Sequence, residues 1–398
     1  MNVYADNAAT TRLCRRAWEA MAPYWRDFYG NPSSLHRAGQ RAKEAIENAR
    51  DSMASRLGTS PRDILFTSGG SESDTQAIRS AAMTGWRSGK RHVVSTAFEH
   101  PAVLHTLDKL REKGFDVTLV SPGKDGVVDA KVIERAIRPD TCLVSVMYAN
   151  NEIGTLQPVP EISAICHSRG VLFHTDAVQA VGHVPIDIRK EGIDLLSLSA
   201  HKFHGPKGIG ALVVRQGIVL ETIIEGGGQE RERRGGTENV PAIVGMAAAL
   251  DDASSRMEET GKSLAGLQDR LIEGLSAIPG STLNGHRVKR LPGIVNFTFE
   301  GVEGEALLLY LDGHGICASA GSACASGSRE PSHVLTAIGK TRDEGRNSLR
   351  ISLSRYNTQE EIDYLVYTIT QGVSRLRGLS PLWRKRKEFP CSVTAKFS

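Results

Sequence analysis

Between about residue 60 and residue 215, short runs of β-branched and apolar residues alternate with stretches of helical periodicity. Seven runs predict strands, at residues 64–67, 93–96, 117–120, 143–147, 171–175, 195–198 and 211–214. Most are apolar throughout, as strands buried on both faces must be. Their alternation with helical segments predicts a mostly parallel sheet covered by helices. Over residues 37–57, Ala38, Ala42, Ala45, Ala49, Met53 and Leu57 recur at helical spacing, and Gly58 stands where a C-terminal cap belongs. After about residue 245 the pattern changes. Leu264, Leu267, Leu271, Leu275 and Ile278 form a helix stripe, followed by strand candidates at 294–299 and 349–353. A last helix opens with Thr358 and Glu361 in capping-box spacing and carries Ile362, Leu365, Val366, Ile369, Val373 and Leu376 on one face. The fold class is therefore α/β: a large domain over residues 15–250 with a mostly parallel seven-stranded sheet, and a smaller α+β domain over residues 251–380. Residues 381–398 read as a basic tail.

Composition narrows the function classes. Hydrophobic residues make up 40% and charged residues 24% of the 398, the balance of an ordinary globular protein, so neither disorder nor a coiled coil is indicated. The net charge of +4 is partly gathered in Arg384, Lys385, Arg386 and Lys387, and no basic stripe points to nucleic acid. Six cysteines (Cys14, Cys142, Cys166, Cys317, Cys324 and Cys391) contain no CxxC pair, which argues against a zinc site or a disulfide framework and for a reducing compartment. With no leader pattern and no apolar run of about eighteen residues, a cytoplasmic protein with no membrane span is expected.

Chemistry concentrates where apolar runs end in polar residues. Phe66-Thr-Ser-Gly-Gly-Ser-Glu-Ser-Asp joins a strand to a helix through Gly69 and Gly70, and a helix start with the Ser71 hydroxyl can hold a phosphate. Taken alone, this reads as a plain capped turn. Phe173-His-Thr-Asp176 and Leu195-Leu-Ser-Leu-Ser199-Ala-His201-Lys202 place an aspartate and a lysine at strand ends, the carboxyl edge where open α/β sheets bind ligands. A lysine there can form a Schiff base with an aldehyde cofactor, and an aspartate can keep a ring nitrogen protonated. Singly, the aspartate could cap a helix and the lysine could reach to water. Joined to the glycine-serine turn, they match the needs of pyridoxal phosphate.

The chain resembles the NifS/IscS-type cysteine desulfurases, class V aminotransferases of pyridoxal-phosphate fold type I. The resemblance runs nearly end to end, through Asp6-Asn-Ala-Ala-Thr-Thr, Gly30-Asn-Pro-Ser-Ser, Glu99-His-Pro-Ala-Val, Ala149-Asn-Asn-Glu-Ile-Gly-Thr, Gly228-Gln-Glu-Arg, Gly236-Thr-Glu-Asn, Gly321-Ser-Ala-Cys324 and Arg350-Ile-Ser-Leu. His174-Thr-Asp-Ala-Val-Gln-Ala-Val-Gly and Ser326-Gly-Ser-Arg-Glu-Pro-Ser-His-Val are nearest to the NifS branch, associated with nitrogenase cluster assembly.

The resemblance implies a cofactor, pyridoxal 5'-phosphate, with Lys202 as its Schiff-base and proton-transfer lysine, Asp176 on the ring nitrogen, Gln179 on the ring oxygen and His100 over the ring face. Gly70, Ser71, Ser199 and His201 would serve the phosphate, and Thr237 that of the neighbouring subunit, so a homodimer is implied. Asn151 would touch both cofactor and substrate, and Arg350 would hold the α-carboxylate of L-cysteine. Cys324, in the small-residue run of residues 318–328, would take the sulfur as a persulfide and pass it to an iron-sulfur scaffold or other sulfur-acceptor protein, and is a candidate transient iron-sulfur ligand beside a scaffold's cysteines. Cys317 reads as an inert thiol buried in a short strand. Ala320, Ala325, Arg329 and Ala5 depart from the family wording without removing a reacting group. The alternatives are a selenocysteine lyase or other pyridoxal-phosphate lyase or aminotransferase, in which Cys324 would be dispensable, and a noncatalytic sulfur-handling partner.

Overall fold

All seven predicted runs become strands of one sheet in the computed structural model, which describes residues 1–320, 331–379 and 383. After a two-residue strand β1 (Val3–Tyr4), the sheet is built from β2 (Ile64–Thr67), β3 (His92–Thr96), β4 (Asp116–Val120), β5 (Thr141–Ser145), β6 (Leu172–Asp176), β7 (Leu195–Ser199) and β8 (Gly210–Val214). They stand in the order β2-β8-β7-β6-β5-β3-β4, with six running one way and β8 antiparallel to both its neighbours. The largest displacement from expectation is at β5. It ends at Ser145 rather than 147, because the Met147 backbone N–H leaves the ladder and donates to the Glu99 carboxylate at 2.9 Å.

The apolar runs serve two faces at once. Leu65, Val93, Leu143, Leu195 and Leu212 join a core with helices α3 and α4, given below, while Phe66, Val94, Val144, Leu196 and Val213, one residue further along each strand, join the core on the other face. This period-two division explains why the runs had to be continuous rather than alternating. Helices α1 (Arg15–Arg26) and α2 (Arg37–Leu57) precede the sheet, and α3 (Gly70–Arg87), α4 (Pro101–Glu112), α5 (Ala130–Ala136) and α6 (Val159–Ser168) connect its strands. Helix α7 (Val240–Ser255) packs on α1 and α2. Helix α2 has the predicted bounds. Gly58 caps it at φ 64°, where a Cβ would also lie 2.5 Å from Asp187 Oδ1.

A second core surrounds a three-stranded antiparallel sheet of β9 (Ser281–Asn284), β10 (Ile294–Phe299) and β12 (Ser348–Ser352) in the order β12-β10-β9. Helices α8 (Met257–Ser276), α9 (Gly304–Asp312) and α12 (Gln359–Leu379) supply its apolar faces, and the short α10 (His333–Ala337) and α11 (Arg342–Arg346) precede β12. The capping box at α12 forms in both directions, Glu361 N–H to Thr358 Oγ1 at 3.3 Å and Thr358 N–H to Glu361 Oε2 at 3.1 Å. The chain's first residues join this core. Strand β1 pairs in parallel with β11 (Ile316–Cys317), Val3 and Ala5 are buried there, and the Asn7 N–H donates to the Ser352 carbonyl. The β1–β11 ribbon is covered on one side only, so Ile316 is buried while Cys317 is exposed, contrary to the buried thiol expected from the sequence.

Between β8 and α7 the backbone turns left-handed at three consecutive side-chain-bearing residues, Glu230 (φ 46°), Arg231 (φ 60°) and Glu232 (φ 65°). That conformation costs roughly 1–2 kcal/mol per residue. A buried ion pair opposes the cost: the Glu230 carboxylate accepts from Arg50 Nη2 at 2.7 Å and Nη1 at 3.0 Å, and from the Phe66 N–H at 2.9 Å.

Candidate active site

The polar ends of the sheet strands converge on one cavity of about 450 Å³. Asp176 ends β6, Ser199 ends β7, and Lys202 closes the 3-10 turn that follows. Gly70 and Ser71 begin α3 after β2, and His100 caps α4 after β3, so strands of one sheet that run the same way deliver each group to the same edge. Arg350 enters from β12 and Ala8 from the N-terminal segment, which places the cavity where the two cores meet. Of the residues singled out from the sequence, Gly70, Ser71, His100, Asn151, Asp176, Gln179, Ser199, His201, Lys202 and Arg350 all line it. Thr237 does not. It is exposed, on the loop that follows the left-handed turn. Cys324 lies outside the described residues, as does the 381–398 tail except Trp383.

The local chemistry of each group follows from its neighbours. Lys202 Nζ donates to the carbonyl oxygens of Ala8 at 2.6 Å and Ala9 at 2.9 Å, and Gln179 Nε2 to the Ala8 carbonyl at 2.9 Å. Asp176 is 6% exposed, and its Oδ1 accepts the Val178 N–H at 2.9 Å. Burial pushes its pKa up, while His100, the Val178 amide and Lys202 oppose that shift. Beside it, burial and the Asp176 charge raise the pKa of Asp74 above the ordinary aspartate value, against the pull of the Ser197 hydroxyl. His201 is pushed down to about 4, chiefly by burial, and is neutral at pH 7 with Nδ1 3.1 Å from Thr10 Oγ1.

Next to the cavity, a recess of about 380 Å³ is walled by Thr10, Ser71, Ser199, His201 and the first turn of α3. Helical geometry leaves the first amides of α3 directed outward, and the helix dipole adds positive potential. Gly70 is required here by close approach: a Cβ on it would lie 2.6 Å from Val178 Cγ2. Hydroxyls, a neutral imidazole and helix-start amides make an anion cradle, with Lys207 and Glu72 also on the recess wall.

Arg350 is 1% exposed. Its Nη1 donates to the Asn151 carbonyl at 3.1 Å and its Nη2 to Asp6 Oδ1 at 2.9 Å, while Nε is buried with no hydrogen-bond partner. The guanidinium is therefore held in place by two bonds with donor capacity to spare, at the wall of a cavity. Sequence reasoning missed three further titratable side chains in the lining, Asp74, Glu152 and His333. Each stands inside a motif quoted for the family resemblance, which is the signal that was available. Glu152 is buried and raised to about 7 by desolvation, against the Ser332 hydroxyl that donates to it and the nearby Arg350 charge.

Among the described residues no helix is long and apolar enough to cross a membrane. The family model for aminotransferase class V matches residues 3–365. A cysteine desulfurase IscS of Methanosarcina thermophila is 51% identical over 383 residues, 96% of this chain and 95% of its own. A Clostridium botulinum protein of the same name is 46% identical over 97% of this chain and 98% of its own. Among solved structures, a NifS-like protein superposes with a TM-score of 0.89 at 40% identity, covering 94% of this chain and all of its own, and SspA in complex with cysteine with a TM-score of 0.79 at 38% identity, covering 90% of this chain and all of its own. A family model spanning both cores, and relatives sharing about half of its residues along almost their whole length, mean that this chain belongs to the class V aminotransferase family, on its cysteine desulfurase branch.

Proposed function

We infer that this chain is a pyridoxal-phosphate-dependent cysteine desulfurase that converts L-cysteine to L-alanine and delivers the sulfur, by way of a persulfide on Cys324, to an acceptor protein for iron-sulfur cluster assembly. One observation carries the reading: a lysine, a buried carboxylate, an anion cradle and a buried arginine with spare donor capacity line a single cavity and its adjoining recess.

The residues fit the cofactor. The neutral His201, the Ser71 and Ser199 hydroxyls and the α3 amides suit a phosphate, and Asp176 suits a protonated ring nitrogen. Lys202 would hold the aldehyde carbon, Gln179 the ring oxygen and His100 the ring face, with Thr237 contributed by the second subunit of a homodimer. When bound, pyridoxal phosphate supplies an electron-withdrawing ring that stabilises negative charge at the substrate α-carbon. Arg350 orients the substrate by its α-carboxylate, the planar guanidinium meeting a planar carboxylate through charge-assisted hydrogen bonds. Asp6 and the Asn151 carbonyl keep the guanidinium in register. Lys202 moves the proton at the substrate α-carbon, for which the carbonyls of Ala8 and Ala9 hold its ammonium at the cavity wall.

We further assign the body built on the seven-stranded sheet, residues 15–250, as the cofactor domain and residues 1–14 with 251–380 as the smaller domain. Alanine and sulfide release from L-cysteine with a thiol reductant tests the reading, comparing the wild type with Cys324→Ser. Equal yields of both products from the wild type, and none from Cys324→Ser, support it. Unimpaired turnover by Cys324→Ser refutes the persulfide route and favours a lyase.

A further inference from the structure

Four side chains, from β5, β6, β7 and α3, form a buried polar chain that ends at the cavity. Ser145 Oγ lies 2.8 Å from His174 Nδ1, His174 Nε2 lies 3.0 Å from Ser197 Oγ, and the Ser197 hydroxyl bonds the Asp74 carboxyl. None of the four is more than 1% exposed. Burial pushes His174 down to about 3, so its ring is neutral and carries a single proton. Each hydroxyl also has one proton to donate. Ser197 donates to Asp74, so it accepts from His174 Nε2, and Nδ1 in turn accepts from Ser145. The chain runs one way, toward α3, and holds Asp74 in place. Asp74 lines the cavity beside Asp176, with oxygens of the two carboxyls within 4.8 Å. Its Oδ1 is buried with no hydrogen-bond partner, and its ion-pair neighbour among the described residues is the neutral His174 at 3.6 Å. Two ionised carboxylates so close and so buried repel, and each lacks its hydration. A single proton between them relieves both penalties. Asp176 is the better stabilised anion, favoured by His100, by the Val178 amide at 2.9 Å and by Lys202, whereas Asp74 has the Ser197 hydroxyl.

We propose that Asp74 is a positioning residue: it keeps the proton of this carboxyl pair and donates it as a hydrogen bond to Asp176, so that Asp176 stays an anion facing the ring nitrogen of the cofactor. This role rests on the reading above, in which Asp176 pairs with the pyridoxal-phosphate ring. Losing the donor would make Asp176 the stronger base, and the ring-nitrogen proton would move onto it. The titratable groups that face Asp74 are His174 and Asp176 from β6 and Glu99 and His100 between β3 and α4, and Lys202 lines the same cavity.

The test uses holoenzyme of the wild type, Asp74→Asn and Asp74→Leu. The Asp74→Asn amide keeps a donor for Asp176 and an acceptor for Ser197, whereas Asp74→Leu keeps neither. Infrared spectra of wild-type holoenzyme labelled with 13C-aspartate should show the carbonyl stretch of a protonated carboxylic acid, and Asp74→Asn should remove it. With pyridoxal phosphate labelled with 15N in the ring, the nitrogen shift should report a protonated ring in the wild type and Asp74→Asn and a deprotonated one in Asp74→Leu. Asp74→Leu should also lose roughly 10- to 150-fold in kcat for alanine release with KM unchanged, and Asp74→Asn should recover most of that loss. The proposal is overturned by a wild-type spectrum with no acid band that Asp74→Asn removes, by an Asp74→Asn enzyme whose ring nitrogen is deprotonated, or by an Asp74→Leu enzyme with a protonated ring and wild-type kcat. Should Asp74→Leu fail to fold, the acid band and the Asp74→Asn ring nitrogen decide. Wild-type protein that takes up pyridoxal phosphate but releases no alanine overturns the desulfurase reading alone, since the band and the nitrogen shift are read without turnover.

Discussion

Replacing Arg350 with lysine keeps a positive charge in the cavity wall and removes the planar fork. The wild-type guanidinium uses Nη1 and Nη2 on the Asn151 carbonyl and Asp6, and presents a buried Nε that has no protein partner. An ammonium has the same charge but a shorter reach and no fixed donor geometry, so it can satisfy Asp6 or the substrate and not both. A hydrogen bond to a charged group contributes about 1.5–3 kcal/mol. At about 1.4 kcal/mol per decade, losing one such bond to the α-carboxylate lowers kcat/KM for cysteine roughly 10- to 150-fold. The carboxylate takes no part in bond breaking and is held alike in ground and transition states, so the loss belongs in KM rather than kcat. Steady-state alanine formation across cysteine concentrations reads both constants, and matching urea midpoints exclude a folding defect. An unchanged KM, or a fall confined to kcat, would refute the assignment of Arg350 to the substrate carboxylate.

Three further outcomes are expected. Lys202→Ala protein reconstituted with pyridoxal phosphate should lack the visible band of wild-type holoenzyme and should not turn over cysteine; an unchanged band moves the cofactor linkage elsewhere. Glu230→Gln removes the buried carboxylate charge from Arg50, whose side chain is 4% exposed and keeps Glu47 at 3.5 Å and the Ile64 carbonyl, and should destabilise the fold by up to about 3–5 kcal/mol in urea; an unmoved midpoint would show that the pair is not required. Burial raises Glu99 to about 8 against the pull of Thr96 and the Met147 amide, so the folded state holds a proton that the unfolded chain releases near the ordinary glutamate value. Its contribution to stability is present below that value and declines as pH rises toward 8, so Glu99→Gln should gain stability relative to the wild type between pH 5 and about 8. Parallel urea midpoints at the two ends of that range would refute this.

The strands of the main sheet were legible because burial on both faces forces continuous apolar runs, which stand out between polar turns. The direction of β8 was legible too, though unread: only ten residues separate Ser199 from Gly210, fewer than a parallel crossover needs. Strand β1 has only two residues and β9 a single apolar one, Leu283, so neither makes a pattern, whereas β11 was legible as the short strand holding Cys317. In the site, Asp176 and Lys202 announced themselves at strand ends. Asp74, Glu152 and His333 did not, since a carboxylate on a helix, another in a turn and a histidine at a helix start are ordinary until tertiary approach brings them to one cavity. Cys317 misled because strand membership says nothing about how many layers cover a strand.

The N-terminal segment has a consequence for how this molecule is made. Ala8 holds Lys202 across 194 positions of sequence, and Asp6 holds Arg350 across 344. On a ribosome adding about 5–20 residues per second, Asp6 waits roughly 17–70 s for its arginine to be synthesised. The cofactor lysine and its sheet are complete well before the arginine proposed to orient the substrate. The nascent chain therefore passes through a stage able to collect a cofactor before it can select an amino acid, and a few residues lost or blocked at the start would disable a pocket whose other walls were already in place.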